Sequence, residues 1–116
     1  MITKHNVDAD GHPIALWEKG PEHARGAIIL LHGRTWSALP NFDLQAPGED
    51  LSLMDGLVEA GYAAFALDFR GYGQTPRDET GWLNPDRAVR DLKAVLERVW
   101  LLTGEGRRPI LLGWSR

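Results

Sequence analysis

The sequence predicts an α/β fold, with an N-terminal antiparallel hairpin and then a mostly parallel sheet with crossover helices, in the order β-β-β-α-β-α-β. Three observations predict it. Apolar runs at Ala27–Leu31, Tyr62–Leu67 and Pro109–Leu112 are continuous rather than alternating, as strands covered on both faces are. Segments with helical spacing separate these runs, and strands alternating with helices imply parallel pairing through right-handed crossovers. Ahead of them, Asp8-Ala9-Asp10-Gly11 joins two short runs, as an Asp-Gly hairpin turn does.

Met1–Val7 alternates loosely, and His12–Glu18 follows the turn as the second strand, with Ile14, Leu16 and Trp17 as its buried candidates. A polar loop, Lys19–Gly26, leads to Ala27–Leu31. His32-Gly33-Arg34-Thr35-Trp36 then leaves that strand, and a loop containing Pro40, Asn41 and Pro47 follows. Asp50 is a candidate N-cap for a helix carrying Leu51, Met54, Leu57 and Val58, closed by Gly61 in the C′ position. The next strand ends at Asp68, and a turn-rich loop runs to Pro76. Asn84-Pro85 opens the longest helix, with Asn84 as N-cap and Pro85 at the first helical position. Its expected apolar stripe is Ala88, Val89, Leu92, Val95, Leu96, Val99 and Leu102, and Gly104 closes it.

Composition narrows the function classes. At 116 residues, with 43% apolar and 25% charged residues, the chain suits one small globular domain and no second one. A net charge of −3 without basic clusters gives no footprint for nucleic acid or an anionic membrane. The absence of cysteine removes thiolate metal sites, disulfides and redox motifs. The four histidines lack metal-ligand spacing, so neither a metal nor a cofactor is expected. No apolar h-region follows Met1, and the longest apolar run is far too short to span a bilayer. A cytoplasmic location is the expectation. Gly71-Tyr72-Gly73-Gln74-Thr75-Pro76 imitates the start of a dinucleotide fingerprint, but Pro76 replaces its third glycine and no helix opens there.

Ligand sites in parallel sheets lie beyond the C-terminal strand ends. Three loops leave those ends, at His32–Trp36, at Asp68–Pro76 and from Trp114 onward. Gly113-Trp114-Ser115-Arg116 carries the first four residues of G-x-S-x-G, in which a serine sits on a strained strand-to-helix turn and small neighbours keep the turn from clashing.

Together, Leu30-Leu31-His32-Gly33, Asp68–Thr75 and Gly113–Arg116 resemble the α/β-hydrolase family in its oxyanion loop, its D-x-R-G-x-G-x-[ST] loop and its nucleophile elbow. The resemblance spans residues 1–116 but only the N-terminal part of the single-domain family fold. It implies Ser115 as the nucleophile, with the backbone N–H groups of Arg116 and Arg34 as oxyanion donors and Thr35 as the alternative to Arg34. A serine rather than an aspartate favours acyl transfer on an ester, thioester, lactone or amide over dehalogenation or epoxide opening. The general base and its acid partner would lie on later strands, so a complementary C-terminal segment is the expected partner, besides a small-molecule acyl substrate.

Without those groups Ser115 is a weak nucleophile, and the chain alone is expected to be inactive. Ile110, Leu111 and Leu112 on an exposed edge would also promote aggregation. Two other readings stand beside this one: a non-catalytic α/β binding module, and half of a two-chain hydrolase. His32 fits a loop-holding role better than a catalytic one, and Asp68 and Arg70 read as a structural turn pair. Trp36, Trp82, Phe42 and Asp43 fit either a pocket wall or packing.

Overall fold

The computed structural model describes residues 2–104 and 107–115. Strands β1 (Thr3–Ala9) and β2 (His12–Lys19) form the expected hairpin, in register Val7 opposite Ile14 and Ala9 opposite His12. Asp10 and Gly11 both take positive φ, 51° and 84°. A two-residue turn with that pair of angles matches the twist of the flanking strands. Strand β3 (Ala27–Leu31) has the bounds read from its apolar run. It is followed by helices α1 (Ala38–Phe42) and α2 (Leu53–Glu59), strand β4 (Ala63–Leu67), helix α3 (Pro85–Leu102) and strand β5 (Ile110–Gly113).

The five strands form one sheet in the order β1-β2-β4-β3-β5. β2 runs antiparallel to β4, whereas β3 is parallel to both β4 and β5. From β3 the chain crosses to β4 on one side, and from β4 it crosses back over β3 to β5. Two right-handed crossovers in opposite directions must lie on opposite faces. Accordingly Ile28, Leu30, Ala64 and Ala66 pack with Ala38, Phe42 and Met54 on one face. Ile29, Phe65, Leu67, Ile14 and Leu16 pack with Val95 and Val99 of α3 on the other. Neighbouring strands β3 and β4 thus send their chains to opposite faces, which opens a crevice beyond their carboxyl ends.

The structure corrects the sequence reading in four places. Helix α1 occupies part of the stretch expected to be loop. Ala38 and Phe42, four residues apart, both bury on the sheet, and Pro40 is tolerated because the first-turn N–H groups have no helical acceptor. The N-cap of α2 is Ser52 rather than Asp50: its hydroxyl oxygen accepts from Asp55 N–H at 3.0 Å. Leu51 therefore lies outside the helix and is exposed. Tyr62 belongs to the end of α2 rather than to β4. Tyr62 N–H reaches Leu57 O at 3.0 Å and Gly61 N–H reaches Val58 O at 2.9 Å, with Gly61 at φ 97°, the paired bonds of a Schellman cap. On α3, Asn84 caps as expected, accepting from Arg87 N–H at 2.8 Å, but Val89 is 65% exposed. The fully buried positions of α3 are Asp91, Val95 and Val99.

Asp91 is a carboxylate in register with the apolar stripe. Arg70, from the loop after β4, binds it through two nitrogens, Nε at 3.1 Å and Nη2 at 2.9 Å, and Arg87 adds Nε at 3.0 Å. Arg70 Nη1 also reaches Asp78 at 2.8 Å, and Arg87 Nη2 reaches exposed Asp10 at 2.7 Å. Arg70 and Asp68, read as a turn pair, thus have separate partners. At the sheet edge Ile110, Leu111 and Leu112 of β5 are about half exposed, as the sequence led us to expect.

Removing one partner of a buried ion pair strands the other charge, which costs about 3–5 kcal/mol. Asp91→Ala is expected to lower unfolding free energy by that order in urea denaturation, while Asp10→Ala leaves the midpoint almost unchanged.

Candidate active site

Each of the three parallel strands delivers one loop to the same end of the sheet. The loop after β3 begins with His32, which is buried. Its Nδ1–H donates to Gly33 O at 2.8 Å, and its Nε2 accepts from Phe69 N–H at 2.9 Å. The ring also meets Phe69 edge-on at 5.1 Å and Tyr72 at 5.2 Å. Both nitrogens are engaged, so His32 ties the loop after β3 to the loop after β4 and has no lone pair left to act as a base. Burial pushes its pKa below the ordinary 6.5, and the Gly33 carbonyl and Asp68 oppose that shift only in part.

Gly33 to Trp36 form a tight turn closed by Trp36 N–H to Gly33 O at 3.1 Å, with Thr35 at φ 67°. Among the described residues the Arg34 and Thr35 amides have no acceptor. The turn therefore presents two unengaged N–H groups at the end of β3.

The loop after β4 shows why its sequence pattern takes the form it does. Asp68 is buried, and its carboxylate accepts from Ala38 N–H at 2.8 Å, Gln74 N–H at 3.0 Å and the Trp17 indole at 3.1 Å. Gly73, at φ 53°, lies so close that a Cβ there would collide with that carboxylate. The Thr75 hydroxyl donates to Asp68 O at 2.7 Å and accepts from Ala15 N–H at 2.8 Å. Gly71, at φ 88°, lets its N–H turn back to Thr75 O at 3.1 Å. Farther along, Asp78 accepts from the Thr80 hydroxyl and from Arg70, which together hold its carboxyl well below the usual carboxylate range.

The third loop extends β5. Trp114 N–H continues the ladder to Leu31 O at 3.1 Å. Ser115 follows, exposed, at φ 55°. Left-handed backbone is uncommon for a non-glycine residue and stores strain that concentrates at functional sites. Crowding was expected at Gly113, but a Cβ there would meet nothing within 4 Å among the described residues. The crowding lies instead at Gly33, against Trp114. Arg116, the other expected oxyanion donor, lies outside the described residues.

His32, Arg34, Thr35, Tyr72, Trp82 and Ser115 line one open cleft of about 800 Å³, together with Trp114. Of the four residues that fitted either pocket or packing, Trp82 lines this cleft and Trp36 stands edge-on to Trp114 beside it. Phe42 is core, and Asp43 binds Lys19 at 2.7 Å. Sequence reasoning missed Asp91 and Asp78. The one signal for Asp91 was its place four residues before Val95 on the apolar stripe. Among the described residues no three His, Asp or Glu side chains converge as a metal site requires, and no helix is long and apolar enough to cross a membrane.

Comparison with known proteins gives the fold a context. Residues 28–116 match the family model described as "Alpha/beta hydrolase family". An epoxide hydrolase of Vigna radiata superposes with a TM-score of 0.71 at 23% identity, over 98% of this chain and 31% of its own. A thioesterase domain from the curacin biosynthetic pathway gives 0.72 at 19%, over 97% and 35%. An esterase of Exiguobacterium antarcticum gives 0.70 at 24%, over 99% and 36%. The chain spans about a third of the length of these structures. Among curated proteins nothing matches the sequence.

Because the folded state resists protonation of His32, stability falls as pH drops below 6.5 towards the lowered folded pKa, where only the unfolded chain binds the proton. Melting temperature followed from pH 7.5 to 5.5 should decline less steeply in His32→Gln than in the wild type.

Proposed function

The chain belongs to the alpha/beta hydrolase family, and from that premise we propose that it is the nucleophile-bearing part of a serine hydrolase catalysing acyl transfer on an ester, thioester, lactone or amide. The observation that carries this reading is Ser115, an exposed serine in left-handed backbone just after the parallel strand β5, opening into the cleft. Serine rather than aspartate at this point favours acyl chemistry over epoxide opening. A thioesterase domain and an esterase among the structures sharing the fold are compatible with that choice.

In the proposed reaction Ser115 Oγ attacks the acyl carbon, and its proton passes to a general base. The carbonyl oxygen becomes an oxyanion, received by backbone N–H groups of Arg34, or of Thr35 in the same turn, and of Arg116. Each such donor is worth about 10²–10³-fold in rate. Collapse expels the alcohol, thiol or amine, which takes up a proton, and water then hydrolyses the acyl-serine. No described histidine is placed as the base: His32 is fully engaged, His5 binds Glu18 at 2.7 Å, His12 donates to Pro76 O at 2.7 Å, and His23 lies in the loop that enters β3, at the end of that strand away from the cleft. We assign base and acid to a complementary C-terminal segment.

A fluorophosphonate probe tests the reading. The full-length natural protein is expected to label at Ser115 and to turn over a nitrophenyl ester, with Ser115→Ala lowering kcat by about 10⁴–10⁶-fold. The 116-residue chain alone should give no measurable turnover, and adding the complementary segment should restore labelling. Labelling at another residue, or turnover that survives in Ser115→Ala, would sink the proposal.

A further inference from the structure

The turn that presents Arg34 and Thr35 touches the turn that carries Ser115 through one residue, Trp114. A Cβ on Gly33 would lie 2.7 Å from Trp114 Cε3, 2.8 Å from its Cζ3 and 3.0 Å from its carbonyl oxygen. Gly33 is buried, and it is not among the glycines with positive φ. What it contributes is therefore small size, not conformational freedom. Trp36, at the other end of the same four-residue turn, meets the Trp114 ring edge-to-face, with centroids 6.0 Å apart and planes at 87°. The indole is thus gripped by both ends of one turn whose closure is the Trp36 N–H to Gly33 O bond. Trp114 also immediately precedes Ser115, and its own N–H is fixed to β3 at Leu31 O.

We propose that Trp114 is a positioning residue for acyl transfer, its indole acting as the spacer that sets the distance between Ser115 and the amides of the Gly33–Trp36 turn. This rests on the serine-hydrolase reading above. An oxyanion donor works only within a few tenths of an ångström of where the charge develops, and a misplacement of about 1 Å costs about 10²-fold. A residue wedged between the donor turn and the nucleophile controls that distance. If Trp114 served only as a wall of the cleft, changing it would act on substrate affinity alone.

The test uses the full-length natural protein, nitrophenyl butyrate for kcat and KM, and the rate of fluorophosphonate labelling at Ser115. Gly33→Ala pushes a methyl group into the indole and is expected to lower kcat and the labelling rate about 100-fold, with KM changed less than about twofold. Gly33→Ala combined with Trp114→Leu should recover about tenfold over Gly33→Ala, because the obstructing ring is gone. Trp114→Phe, which keeps an aromatic spacer, should stay closer to wild type than Trp114→Ala. Losses confined to KM, or a double variant in which the two losses simply multiply, would overturn the inference. Should Gly33→Ala fail to fold by near-ultraviolet circular dichroism, Trp36→Ala decides in its place: a lower kcat at constant KM supports the spacer, and an unchanged kcat refutes it. A wild type that does not label at Ser115 rejects the parent reading and this one with it, whereas a wild type that labels beside unaffected variants rejects only the spacer.

Discussion

The carboxylate of Asp68 is the constraint on which the rest of the structure depends. It is almost wholly buried, and among the described residues its partners are three N–H groups from three separate segments rather than a cation. A buried carboxylate is tolerable only when its lone pairs are satisfied. Satisfying them brings the N-terminus of α1, the Trp17 side chain of β2 and the loop after β4 to one point. The end of β4 is thereby fixed to the start of α1 and to β2. Thr75 extends the same lock to the backbone of β2 through Ala15.

A second lock, formed by Arg70, Asp91 and Arg87, joins the loop after β4 to α3 on the opposite face. The two locks use different residues of one loop and pull towards different layers. That arrangement explains why the loop is rich in glycine: Gly71 reverses the chain and Gly73 makes room for the Asp68 carboxylate. His32 closes the set by joining the loops after β3 and β4 without using a charge. This frame anchors the loops in which Thr35 and Ser115 take left-handed backbone.

Steric crowding beside Ser115 falls on the loop after β3. The glycine two residues before Ser115 faces open space among the described residues, while Gly33 on the neighbouring loop is pressed against Trp114. The large indole of Trp114, next to Ser115, is what a side chain at position 33 would meet. The geometry of the site is therefore a property of the pair of loops, not of either one.

Local chemistry was enough to determine several elements. The bounds of β3, the Asp10-Gly11 turn, the Asn84 cap and the Gly61 stop of α2 follow from residues within a few positions of each other, because turns, caps and apolar runs are short-range devices. The three loops at the carboxyl ends of the strands were legible for the same reason. Only the tertiary structure decided the rest. Helix α1 exists because Ala38 and Phe42 find a sheet face and Ala38 N–H finds Asp68, thirty positions along the chain. Asp91 is buried because Arg70, 21 positions earlier in the chain, reaches it, and Gly33 matters because Trp114 lies against it. Those partners are distant in sequence, and no periodicity or local motif encodes a contact that only folding creates.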